Sequence, residues 1–81
     1  MMVRVTLLYF ASLRDAAGMA SESVDTDARD LRALYREAQA RHGLPLPCTR
    51  VRVAVGTEFA SWDDTVVHGI EVAFLPPVSG G

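Results

Sequence analysis

The chain has 81 residues, 49% of them hydrophobic and 22% charged, with a formal charge of −2. That length gives one small domain hiding only about 60% of the surface its unfolded chain exposes, which disfavours a deep catalytic pocket and leaves an apolar binding face easy to retain. The acidic balance argues against a nucleic-acid partner, and because all eight basic residues are arginine the chain offers no ε-amine for Schiff-base chemistry or for receiving a conjugated protein.

The single cysteine, Cys48, cannot form an intramolecular disulfide, and the chain starts on a β-type run instead of a charged segment followed by an apolar one. Both features predict a cytoplasmic protein. No apolar run approaches the roughly 20 residues that cross a bilayer, so no membrane role is expected.

Val3 to Phe10 alternates, with Val3, Val5, Leu7 and Tyr9 on one face and Arg4 and Thr6 on the other, which predicts a first strand whose second face turns apolar at Leu8 and Phe10. Ala11 to Gly18 has short helical character, and a short strand is expected around Glu22 to Val24. The best helix runs from about Asp27 to His42: Thr26 or Asp27 can cap it, Ala28, Leu31, Leu34, Tyr35 and Ala38 recur at helical spacing, and Gly43 ends it. Asp27 and Asp30 in the first turn and Arg41 in the last agree with the helix dipole. After Leu44–Pro47, Val51 to Val55 predicts a third strand with Val51, Val53 and Val55 facing the core. Glu58 to Val67 reads as a short strand and turn. Ile70 to Leu75 reads as the last strand, with Ile70, Val72 and Phe74 inward. One helix packed across a small mixed sheet, an α+β roll spanning residues 1–75, is the architecture these elements fit.

Residues 76–81 are Pro76-Pro77-Val78-Ser79-Gly80-Gly81. Two prolines cannot donate to a sheet ladder, so the chain is expected to leave the sheet there as a flexible, extended tail. Six residues at about 3.3 Å each carry a terminal carboxylate up to roughly 20 Å from the body, enough to thread a narrow channel in a partner.

Gly69 to Gly81 (GIEVAFLPPVSGG) resembles the C-terminal signature of the small subunits of molybdopterin synthase, which are ubiquitin-like β-grasp sulfur carriers. The resemblance extends through Tyr9 to Gly18, the Leu31 to Gly43 helix and Val53 to Gly56, and its most specific part is the proline pair before the diglycine. The family commonly has Asn where Gly56 stands, and an acidic-Gly-acidic turn where this chain has His68-Gly69-Ile70. A related thiamine-pathway carrier shares the fold and the diglycine but usually lacks the prolines.

The resemblance implies that Gly81, next to Gly80, is adenylated by a ubiquitin-activating-like adenylyltransferase using ATP and then converted to a thiocarboxylate, with no cofactor bound permanently. It further implies that Pro76, Pro77, Val78 and Ser79 thread the large synthase subunit, and that Phe10, Phe59 and Leu75 dock partners. Phe10 and Leu75 also fall opposite the core-facing sets by strand parity. Arg14 and Asp15 match the family's Arg-acidic pair after the first strand, where Arg14 meets an acidic patch of the activating enzyme or instead forms a solvated or intramolecular salt bridge. A heterotetramer of two large and two small subunits is implied as well. Carriers for thiamine thiazole, tRNA thiolation or cysteine, and a ubiquitin-like modifier, remain alternatives.

Other residues read more plainly. Cys48 is a structural thiol before it is a persulfide carrier, His42 complements the helix dipole, and His68 sits in a turn. Asp63-Asp64 also belongs in a turn, Tyr35 and Trp62 belong in or near the core, and no metal-ligand spacing is present.

Overall fold

The fold was obtained as a computed structural model that describes residues 1–77. Its elements are β1 (Val3–Tyr9), α1 (Ala11–Ala17), β2 (Ser21–Thr26), α2 (Leu31–His42), β3 (Arg52–Val55), β4 (Glu58–Ala60) and β5 (Glu71–Leu75). Cys48–Arg50 forms a 3₁₀ turn before β3. The sheet order is β2-β1-β5-β3-β4; β1 and β5 are parallel at its centre, and every other neighbouring pair is antiparallel. This is the expected α+β architecture, a ubiquitin-like β-grasp with α2 as the main helix.

Strand alternation decides what lies under α2. Val5, Leu7 and Tyr9 of β1, Val53 of β3, and Val72 and Phe74 of β5 are buried together with Leu31, Leu34, Tyr35 and Ala38 of the helix. Phe74 sits at the centre of an aromatic cluster. Tyr35 meets it edge-on at 5.0 Å between ring centroids, Trp62 stacks on it at 6.1 Å, and Tyr9 tilts against it at 6.0 Å. The polar ends of these rings are all satisfied: Tyr35 donates to the Leu46 carbonyl at 2.6 Å, Trp62 to the Val51 carbonyl at 3.2 Å, and Tyr9 to Glu22 at 2.8 Å. Burial pushes the Tyr35 phenol up to about 12.

Glu22 on β2 also receives His42 from the end of α2, with Arg41 3.6 Å away. Burial raises the Glu22 pKa, but the hydrogen bonds from Tyr9 and His42 and the Arg41 charge outweigh it, leaving the carboxyl below its ordinary value. The clasp ties the C-terminal end of the helix to the edge strand. His42 therefore does more than complement the helix dipole.

The helix starts later than its apolar spacing predicts. Asp30, not Thr26 or Asp27, is the N-cap, and its carboxylate accepts from the Ala33 amide at 2.8 Å. The Leu31 and Arg32 amides donate to the carbonyls of Asp64 and Trp62, both at 3.0 Å, so the loop after β4 satisfies amides that an isolated helix end leaves open. Neither Asp27 nor Asp30 lies in the first turn, which holds no acidic residue. Thr26 is buried at the end of β2, accepting from the Ala28 amide and donating to Glu37. One smaller difference follows from pairing: β2 is longer than expected because it pairs along β1 from Val3 to Leu8, while Val55 and Ile70 face the core as expected and pack half-buried at its margin. Asp63 and Asp64 lie in the expected turn, where Ser61 and Asp64 bond each other's backbone.

Candidate functional site

The side of the sheet away from α2 is built from the alternate residues of the same strands. Ala73 of β5 lies opposite Leu8 of β1 and Ala54 of β3, and Ala54 lies opposite Phe59 of β4, so one row of side chains crosses four strands. Two alanines in the middle of that row leave a low floor. Phe10 and Phe59 stand beside it, and with Leu75, Gly56 and Thr57 they enclose a shallow groove of about 230 Å³. The floor is covered, Ala54 being 9% and Ala73 8% exposed, while Phe10 and Phe59 are 43% and 64% exposed. Large exposed rings over a small-residue floor make a surface that can bury apolar area only against another molecule.

Local backbone geometry sets both walls. Phe10 is the N-cap of α1, and Ala11 turns the chain at φ +50, a left-handed conformation that costs an alanine about 1 to 2 kcal/mol. On the other side Gly56 and Thr57 form a two-residue hairpin loop, with φ +62 at Gly56 and no positive φ at Thr57. That is the φ pattern of a type II′ turn with glycine first, a conformation that glycine adopts at no steric cost.

The structure brings Phe10, Phe59 and Leu75 together on this groove. Leu75 is the last residue of β5, and Pro76 (half-buried) and Pro77 (exposed) continue from it, so the tail begins at the groove. Arg14 is exposed on α1 one helical turn after Phe10; it does not line the groove, and no ion pair involves it among the described residues. Val78, Ser79, Gly80 and Gly81, and the extended course expected of the tail, lie outside the described residues.

Sequence reading missed the floor and one charged neighbour. Ala54 and Ala73 are out of phase with the buried valines and Phe74, a parity visible in the sequence, but that they meet depends on the β3–β5 register. Arg52, in register with Leu75, holds its guanidinium 4.2 Å above the centre of the Phe59 ring. Cys48 is half-buried and free, and among the described residues no cluster of three His, Cys, Asp or Glu could hold a metal ion. Among the described residues no helix is long and apolar enough to cross a membrane.

The model of the ThiS family matches residues 7–81. The molybdopterin synthase sulfur carrier subunit of Escherichia coli (strain K12) is 34% identical over 80 residues, covering 95% of this chain and 99% of that protein. Among solved structures, molybdopterin converting factor subunit 1 from Pyrococcus furiosus superposes with a TM-score of 0.76 at 28% identity over 94% of this chain and 99% of that one. SAMP1 from Haloferax volcanii gives a TM-score of 0.80 at 24% identity over 96% and 99%, a likeness of fold. With a family match over nearly its whole length and relatives of the same size, the chain belongs to the ThiS family.

Proposed function

We propose that this chain is the sulfur-carrying subunit of a molybdopterin synthase. The observation that carries the reading is full-length similarity to relatives of that name, in a chain whose Pro76-Pro77 segment leaves the sheet beside an open apolar groove and ends in Gly80-Gly81.

The terminal carboxylate of Gly81 has an ordinary pKa of about 3.5, so it is ionised at neutral pH and a poor electrophile. An adenylyltransferase partner changes that: the carboxylate attacks the α-phosphate of ATP and expels pyrophosphate, giving an acyl adenylate. Sulfur from a sulfide donor then displaces AMP and leaves a thiocarboxylate. Glycine at both terminal positions lets the backbone approach nucleotide and nucleophile with no Cβ in the way. The loaded tail enters the large subunit, which supplies the catalytic side chains, and gives its sulfur to cyclic pyranopterin monophosphate. Two such transfers build the dithiolene, and the carrier returns as carboxylate. In this reading Phe10, Phe59 and Leu75 dock the partners, Arg14 meets an acidic patch of the activating enzyme, and the assembly is a cytoplasmic heterotetramer.

A modifier role, favoured by the fold shared with SAMP1, would use the same adenylate to acylate an amine on another protein. Lacking lysine, this chain offers only its α-amine for such linkage to itself. Intact mass after incubation with ATP, a sulfide source and the activating enzyme of the same genome separates the readings. Replacement of one oxygen by sulfur at Gly81 is the expected result, lost completely on deletion of Gly81 with an unchanged thermal melt. Amide-linked adducts without a thiocarboxylate pool would overturn it in favour of modification.

A further inference from the structure

We propose that Arg52 is a recognition residue of the open face and binds a carboxylate of the protein that receives the tail. The proposal rests on the carrier reading and adds to it the chemistry of the partner surface. Arg52 opens β3 in register with Leu75, the last strand residue before Pro76-Pro77, so its charge stands at the root of the tail. Its guanidinium lies over the exposed ring of Phe59, which supports one face of the planar group and leaves N–H edges for an acceptor. Among the described residues no carboxylate pairs with it; the ion pairs there belong to Arg4, Arg32, Arg41 and His42.

The distribution of charge points the same way. The end of the sheet where the tail begins holds Arg14, Arg41, Arg50 and Arg52 against Asp15 and Glu22, and Glu22 is already held by Arg41 and His42. The rest of the chain carries four arginines against eight carboxylates. An acidic protein therefore presents its positive end to whatever binds there. When the groove is covered, Arg52 loses water. An apolar or basic surface would leave that cation unpaired, whereas one carboxylate in the partner pairs it, which turns the residue into a filter against wrong partners as well as a contact. One guanidinium among apolar side chains suits a single carboxylate. A phosphate-rich polymer would run on from it into the acidic remainder of the chain.

The test titrates the full chain against the large molybdopterin synthase subunit encoded in the same genome, at low and high salt, with thermal melts confirming that each variant folds. Arg52→Glu is expected to weaken binding on the order of 100-fold and Arg52→Ala roughly tenfold with a shallower salt dependence. Arg52→Lys, which keeps the charge without the planar fork, is expected between wild type and Arg52→Ala. Arg36→Glu, on the exposed side of α2, is expected to stay within about twofold of wild type. Binding by Arg52→Glu within about threefold of wild type would overturn the proposal and leave the carrier reading intact. Failure of the wild-type chain to bind the large subunit would overturn both.

Discussion

On the α2 side of the sheet every large ring is both packed and anchored: Tyr9, Tyr35 and Trp62 surround Phe74, and each polar end has a partner. On the other side the same strands present Ala54 and Ala73 between Phe10 and Phe59, rings with no polar atom to fix them and no helix above them. Side chains on alternate positions of β3 and β5 therefore answer to opposite demands. One face closes on itself, with its free energy already committed to folding. The other keeps apolar surface exposed, which helps folding little and is available to a partner.

Phe74→Ala and Phe59→Ala set this contrast most sharply. Phe74 is fully buried in the aromatic cluster, so its truncation removes apolar burial and leaves a cavity, at a cost of about 3 to 5 kcal/mol. In a domain of this size that is a large part of total stability, and chemical denaturation is expected to show a mostly unfolded chain near the upper end of that range. Phe59→Ala removes a ring that is 64% exposed and is expected to change stability by less than about 1 kcal/mol. Its binding to the large subunit is expected to fall roughly tenfold or more, as for a truncated interface aromatic. Equal losses of stability in the two variants would mean that the open face is part of the core after all.

Between these extremes lies the clasp at the end of α2. Glu22 has its pKa lowered in the folded chain, so the stability it contributes is present above its unfolded value, 4.5, and is lost as the pH falls through the lower folded value. Unfolding free energy is therefore expected to fall on acidification below about pH 5, and Glu22→Gln is expected to flatten that limb while costing about 1 to 2 kcal/mol at neutral pH. Denaturant midpoints measured from pH 7 to pH 3 check both. An acid limb unchanged by the substitution would assign the loss to other carboxylates.

The strands were legible because their neighbours alternate. Val5, Leu7 and Tyr9, and Val72 and Phe74, identify the buried face without knowledge of the pairing. The same parity placed Phe10 and Leu75 opposite the core, and the structure puts them on one groove. What the sequence hides is non-local. Arg52 reaches Phe59 only because β3 and β4 pair in one particular register, and the groove floor exists only where β3 meets β5. The start of α2 is hidden for a related reason: Ala28 has helical spacing and Thr26 is a capping type, but the carbonyls that receive the first helical amides come from Trp62 and Asp64, about thirty residues on.

The attachment of α2, the roof over the closed face, has the smallest and most local expected effect. If Asp30 is the cap, Asp30→Ala removes the acceptor of the Ala33 amide and costs about 1 kcal/mol, whereas Asp27→Ala, at an exposed position before the helix, stays within about 0.5 kcal/mol of wild type. Asp30→Asn retains a capping oxygen and is expected to recover most of the loss. The bridge between Asp30 and Thr65 is made by main-chain bonds that alanine retains, so the Asp30→Ala loss is confined to the cap, with faster amide exchange at Ala33 as the sign. A helix starting at Asp27 would reverse the order of the two alanine variants. The closed face would then owe its roof to local capping alone, and Trp62 would be a neighbour of α2 instead of part of its foundation.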